Sequence, residues 1–367
     1  MKYFNYAATT KTDPKIEAVF NDINKKYFMH PDGDDNSQSL RLEAKNLILK
    51  HLGVEKYNLI FTSGGTEANN LAIFGNVKDI SLAKEYITSS IEHPSVYDSF
   101  KFLEKSGHIV HFIDPRSDGK IYPLDVVEKV NKNTTLVSIM SINNETGVAN
   151  DVMEIARQVK EKNPLVLMMI DHVQGLGKII DFDLNYFDFI SLSAHKLYGY
   201  KGSGCLIMAP TTNLQKILHG GLAEDGFRGG TQNVALQVCL AKAISQVVTD
   251  ENYINDVSAK IEYLIEKVNH IAKIKINVAT NSNILSIRFN TKMMSETILK
   301  ILSDNDIYAS SRSACSTKLN KGSRVLEKLK LTPEQMARTI RVSVGTPTTY
   351  EEIDFLIDTI NKKILKE

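Results

Sequence analysis

An excess of either charge is missing: 44 Lys plus Arg stand against 43 Asp plus Glu, which leaves no net field to hold nucleic acid or an anionic membrane surface. Also missing is any apolar stretch long enough for a signal peptide or a membrane span. The opening Met1-Lys2-Tyr3-Phe4-Asn5-Tyr6 runs directly into the turn-like Ala7-Ala8-Thr9-Thr10, so a cytoplasmic protein is expected. Cysteine is scarce. Cys205, Cys239 and Cys315 are too few and too scattered for a disulfide framework, and they lack the paired spacing of a zinc site, so no metal is expected. No internal repeat, low-complexity tract, or Pro-rich or Gly/Ser-rich linker divides the chain.

What is present is an ordinary globular composition over 367 residues, 43% apolar and 24% charged. That length predicts one large domain and a smaller one. Short β-rich runs alternate with helical patterns from about residue 57: Asn58 to Phe61, Tyr86 to Thr88, His108 to Ile113, Thr135 to Ile142, Leu165 to Ile170, Phe187 to Leu192 and Gly204 to Met208. Between them, Pro123 to Val130 and Val152 to Lys160 carry apolar residues at helical spacing. This alternation predicts βαβ units feeding a largely parallel sheet. After about residue 250 the pattern changes to a long amphipathic stretch, Val257 to Ile271, and isolated strands, Ile284 to Phe289 and Ile340 to Val344. The expected division is a large α/β domain over 12–250 and a small α+β domain formed by 1–11 with 251–367.

Three segments carry chemistry. In Phe61-Thr62-Ser63-Gly64-Gly65-Thr66-Glu67 a strand ends in a glycine turn that opens a helix. That is either a plain tight turn or a cradle of backbone N–H groups for a phosphate. It matches neither the dinucleotide fingerprint nor the Walker loop. The run Leu165 to Ile170 ends in Asp171 at the expected carboxyl edge of a parallel sheet, where the acid either faces a ligand or caps the following turn. Phe189 to Ser193 is followed by Ala194-His195-Lys196. Lys196 is there either a solvated loop charge or an amine desolvated into a nucleophile. Together the segments supply an anion cradle, an acid for a pyridinium nitrogen and a lysine for an aldehyde, which are the needs of pyridoxal 5'-phosphate.

Ser193-Ala194-His195-Lys196-Leu197-Tyr198-Gly199, with the upstream Asp171-x-x-Gln174 and Thr62-Ser63-Gly64-Gly65-Thr66-Glu67, resembles the fold-type I, class V aminotransferase group and in particular the cysteine desulfurases. The likeness extends from Ala7-Ala8-Thr9-Thr10 through Asn143-Asn144-Glu145 to Arg341-Val342-Ser343-Val344-Gly345. It implies that Lys196 bonds covalently to the cofactor, that His93 stacks on its ring and that Asp171 pairs with the ring nitrogen. It further implies that Gln174 and Asn144 contact the phenolic oxygen and its surroundings, while Gly65, Thr66, Ser193 and His195 hold the phosphate. Arg341 and Asn144 would bind the substrate, Arg341 through its carboxylate. Thr231, in Arg228-x-Gly230-Thr231-x-Asn233, would reach a neighbouring subunit's phosphate, implying a homodimer.

Ser310-Ser311-Arg312-Ser313-Ala314-Cys315-Ser316 resembles the segment that separates a desulfurase from a transaminase. Cys315 would take sulfur from L-cysteine, leaving L-alanine and a persulfide for a sulfur-acceptor protein, as in iron–sulfur cluster assembly or RNA thiolation. Alternatives are a selenocysteine lyase, another class V aminotransferase or lyase, or a catalytically silent member acting as a binding partner in sulfur transfer. The chain departs from the family pattern at Asn5 and Tyr6, at His30 to Ser37, and at Tyr200, Ala223 and Arg312. These departures are expected to cluster at the substrate mouth.

Overall fold

The structure, a computed structural model, describes residues 1–77, 82–179, 182–250, 252–311 and 322–366. Strand β1 (Lys2–Tyr3) precedes helices α1 (Pro14–Lys26) and α2 (Asp35–His51). Strands and helices then alternate: β2 (Asn58–Thr62), α3 (Gly65–Gly75), β3 (Glu85–Ser89), α4 (Pro94–Lys105), β4 (Ile109–Ile113), α5 (Pro123–Val127), β5 (Thr134–Ser138), α6 (Val152–Lys162) and β6 (Leu167–Asp171). Strands β7 (Phe189–Ser193) and β8 (Gly204–Met208) complete the run. Beyond α7 (Val234–Thr249) lie α8 (Tyr253–Asn269), β9 (Ile274–Ile276), β10 (Ile284–Phe289), α9 (Ser295–Asp304) and β11 (Ile307–Tyr308). The last elements are α10 (Arg324–Lys328), α11 (Pro333–Ala337), β12 (Thr339–Ser343) and α12 (Tyr350–Thr359).

Seven strands form one sheet in the order β2-β8-β7-β6-β5-β3-β4. β8 runs antiparallel to β2 and β7, while the pairings from β7 across to β4 are parallel. Side chains alternate between two cores. Ile170, Ile190, Leu192 and Ile207 enter one, and Met169, Phe189, Leu206 and Met208 enter the other. Both faces are therefore buried, which is why these strands read as continuous apolar runs rather than as alternating ones. Helices α2, α6 and α7 cover the first face through Ala44, Ile155 and Leu240. Helices α3 and α4 cover the second through Leu71 and Phe100. Cys205 and Cys239 are buried, and burial pushes the Cys239 thiol up to about 12.

A separate core gathers Phe4 with α8, β10, α9, β12 and α12. Its sheet is β12-β10-β9, and β1 pairs in parallel with β11, so the amino-terminal residues are built into the carboxyl-terminal half. No helix of the described residues is long and apolar enough to cross a membrane.

Candidate active site

The parallel strands β2, β3, β5, β6 and β7 all deliver their carboxyl ends to one edge, where an open α/β sheet places its ligands. A cavity of about 420 Å³ lies there, within the roughly 300–1,000 Å³ range of small-molecule sites. Its lining includes Gly65, Thr66, His93, Asn144, Asp171, Gln174, Ser193, His195, Lys196 and Arg341. The structure thus brings together ten of the twelve residues singled out from sequence.

The phosphate end is built by close backbone approach. Gly64 caps α3 at φ 147° with no side chain capping it, so the first N–H groups of an eleven-residue helix lack an internal partner. Gly204 permits this packing: a Cβ there would lie 2.6 Å from the Gly64 Cα. Beside the turn, the buried Ser193 Oγ has no hydrogen-bond partner among the described residues. His195 meets Thr9 Oγ1 through Nδ1 at 3.2 Å. Burial, reinforced by Lys196 and Lys201, lowers the His195 pKa to about 4, so the ring is a neutral N–H donor at physiological pH. An orphaned hydroxyl, a neutral imidazole and an uncapped helix start fit a phosphate.

Asp171 closes β6 and is buried. Its Oδ1 accepts from Val173 N at 3.1 Å, and its Oδ2 accepts from Asn69 Nδ2 at 2.9 Å. The residue caps the turn with one oxygen and also lines the cavity, so the turn-capping reading does not exclude the ligand-facing one. Asn69 also donates to Ser95 Oγ at 2.9 Å, and Ser95 Oγ meets His93 Nδ1 at 2.8 Å. A polar chain therefore links the acid to the histidine. Burial lowers the His93 pKa, with Lys196 and Arg324 adding to the effect and Asp171 opposing it. Asn69 and Ser95 escaped the sequence reading. Their signals are one-turn spacing from Thr66 and the position two after His93, where α4 begins.

Glu92, next to His93, is a buried acid whose carboxyl is pushed up to about 8 by burial, against hydrogen bonds from Ser89 Oγ and Met140 N. A folded pKa above the unfolded value means that its stabilising contribution is complete below about 4.5 and is lost as pH rises to about 8. Glu92→Gln, which mimics the neutral acid, is therefore expected to gain on the native protein by at most about 1.4 kcal/mol per pH unit across that window. Urea unfolding at several pH values measures the gap; one that stays constant rules out a buried neutral Glu92.

On the opposite wall, Lys196 Nζ donates to Ala8 O at 2.8 Å and to Ala7 O. Gln174 Nε2 donates to the same Ala7 O at 2.8 Å. Arg341 is buried on β12, with Nη1 donating to Asn144 O at 2.6 Å and Nη2 to Asn5 Oδ1 at 3.0 Å. Its Nε has no partner among the described residues, and burial lowers its pKa to about 10. Both of these partners are neutral, so an arginine held this way offers its charge to an incoming anion.

Two sequence-derived residues lie outside this grouping. Thr231 is exposed and borders a different small cleft with Ser63, Gly202 and Arg228. Cys315 and Arg312 lie outside the described residues. The chain on either side of that segment is fixed beside the cavity: Ser310 forms a bridge with Arg341, Ser323 Oγ donates to Glu145 Oε2 at 2.5 Å, and Arg324 donates to Ser90 O and Glu92 O.

The departures from the family pattern do not gather at the mouth as expected. Asp34 starts α2 by accepting from Ser37 N at 3.2 Å, and Tyr200 packs on Phe20 with centroids 4.8 Å apart. Neither residue lines the cavity. Of the described departures, Asn5 alone reaches a site residue, through Arg341.

The family model described as Aminotransferase class-V matches residues 2–356. A protein named Cysteine desulfurase IscS from Dictyoglomus turgidum is 32% identical over 376 residues, covering 99% of this chain and 94% of that protein. Another of that name from Shewanella sp. (strain W3-18-1) is 35% identical over 383 residues, covering 99% and 93%. A solved structure described as a NIFS-like protein matches with a TM-score of 0.90 at 28% identity, covering 98% of both chains.

Proposed function

We propose that this chain, which belongs to the class-V aminotransferase family and is a pyridoxal-phosphate-dependent enzyme, is an L-cysteine desulfurase. The observation that carries the reading is the placement of Arg341. Its side chain is a buried cation in the cavity, and its backbone bridges Ser310, five residues ahead of Cys315. A site that binds an amino acid by its carboxylate is thereby joined to the segment bearing a thiol.

The assigned roles follow from the residues. Arg341 receives the substrate carboxylate. Gly65, Thr66, Ser193 and His195 would hold the phosphate, and Asp171 would face the ring nitrogen and favour its protonated form. The cofactor supplies, when bound, a sink for the electron pair left at the substrate carbon. Lys196 Nζ removes and returns the α-proton. His93, with Nδ1 taken by Ser95, keeps Nε2 for proton exchange. The Cys315 thiolate then attacks the substrate sulfur: one S–S bond forms, the C–S bond breaks, and its electron pair and a proton stay with the product. L-cysteine and a thiol become L-alanine and a persulfide.

Thr231 is exposed and does not line its own cavity, which supports action on a neighbour's site, and so a homodimer. A persulfide must be handed on, which supports a sulfur-acceptor protein as partner, whether for iron–sulfur cluster assembly or for RNA thiolation. Arg341→Lys tests the substrate arm. It keeps a cation but loses the forked pairing, and is expected to lower kcat/KM for L-cysteine by roughly 100-fold with cofactor loading unchanged. Alanine formation against substrate concentration measures it; an unaltered kcat/KM removes Arg341 from the site.

A further inference from the structure

Next to the cavity, but not among its lining residues, stands Lys178. It lies in the turn that follows β6, where its own N–H donates to Gly175 O at 2.9 Å. Its Nζ donates to Gln174 Oε1 at 2.9 Å. On the other side of the same amide, Gln174 Nε2 donates to Ala7 O at 2.8 Å, and that carbonyl also receives Lys196 Nζ. A continuous relay therefore runs from Lys178 through Gln174 and Ala7 to Lys196.

We propose that Lys178 is a positioning residue that fixes the side-chain amide of Gln174 with its NH2 toward the cofactor site. A glutamine amide has two nearly isosteric ends, one that only accepts hydrogen bonds and one that only donates, and its neighbours decide which way it faces. An ammonium has donors and no acceptor. Turned the other way, Gln174 would set NH2 against the Lys178 ammonium and its carbonyl oxygen against Ala7 O, losing both hydrogen bonds at once. Lys178 and Ala7 therefore enforce one orientation from opposite sides. In that orientation one N–H serves Ala7, and the second would be available to the phenolic oxygen of a bound cofactor.

The placement of Lys178 is otherwise unfavourable. Burial pushes its ammonium down to about 7, and it lies near His172, whose ring it helps hold neutral. Both charge states of the amine retain N–H donors, so the contact to Gln174 Oε1 survives partial deprotonation; the neutral amine can also accept, and in that state Ala7 O alone selects the orientation, so Lys178 discriminates as the ammonium.

This inference rests on the reading of the cavity as a pyridoxal-phosphate site, and the experiment separates the two. The full-length holoenzyme is prepared as native protein, Lys178→Met, Lys178→Arg, Gln174→Ala and the double variant Lys178→Met/Gln174→Ala. Each is titrated with pH while the absorbance of the lysine-bound cofactor is followed, and cofactor retention is measured by dialysis. Lys178→Met is expected to move the chromophore's pKa in the same direction as Gln174→Ala, by about one unit, a tenfold change in the proton equilibrium. The double variant is expected to move no further than Gln174→Ala alone, because the two residues act through one hydrogen bond. Lys178→Arg, still a donor, is expected to titrate like the native protein. If Lys178→Met fails to fold, Lys178→Gln replaces it; its own carbonyl would let the Gln174 amide turn, and the same shift is expected. A native-like titration in Lys178→Met, no shift in Gln174→Ala, or shifts that add in the double variant overturns the proposal. Colourless native protein overturns the cofactor reading itself.

Discussion

Lys196→Ala is expected to abolish the yellow, borohydride-fixable cofactor and to lower cysteine-dependent alanine formation by on the order of 10⁴-fold or more. The residue ends the short turn after β7, and its amine is held by two backbone carbonyls in the cavity. No alanine methyl can bond to an aldehyde, and none can carry a proton. Lys201 also lines the cavity, and Lys178 stands behind Gln174, so the site contains other amines that a misplaced assignment would reveal. Reduction of the native protein followed by peptide mapping should locate the cofactor on Lys196. Fixation on Lys201 or Lys178, or unchanged turnover in Lys196→Ala, would remove the central assignment.

How much of this was legible in the sequence follows from which features are local. Gly204–Met208 and Ile284–Phe289 are legible at their observed bounds because the first is a nearly continuous apolar run and the second carries Ile284, Leu285, Ile287 and Phe289 around Ser286 and Arg288, each flanked by polar or turn residues. The apolar pattern from Thr135 to Ile142 predicts one strand, yet β5 ends at Ser138. Beyond it, Ile139, Met140 and Ile142 stay buried while the chain turns over the sheet edge, where Asn143 Oδ1 accepts from Glu145 N at 2.9 Å and Thr146 N at 3.0 Å. Burial in an interior loop and burial in a strand look alike in a hydrophobic pattern. Lys196 and Asp171 were legible because each follows a strand end. Asn69, Ser95 and the Ala7 carbonyl were not, since their roles exist only where α3, α4 and the amino-terminal segment meet. The Lys178 contact is of the same kind: it stands four positions after Gln174, but only the turn geometry shows which end of the amide it faces.

The outcome that decides the chemistry concerns Cys315, because every other assigned residue would serve a plain transaminase equally well. Cys315→Ser is expected to keep cofactor colour and cysteine binding, since Lys196, Asp171 and Arg341 are untouched. Sulfide and alanine production should nonetheless fall to the uncatalysed background, a loss on the order of 10⁴-fold. The serine hydroxyl has the thiol's shape but is not ionised near neutral pH and is a poor nucleophile toward sulfur. Chain length sets how far the cysteine can range from the described residues. Ser311 follows the bridge at Arg341, and the four residues from there to Cys315 span at most about 14 Å when extended. Cys205 and Cys239 offer no substitute, because both are buried and burial raises both thiol pKa values. Brief exposure of the native protein to L-cysteine should therefore add one sulfur to Cys315 by mass spectrometry and none to the other two. If Cys315→Ser instead makes alanine and sulfide at the native rate, sulfur leaves without a protein thiol, and the reaction is that of a lyase.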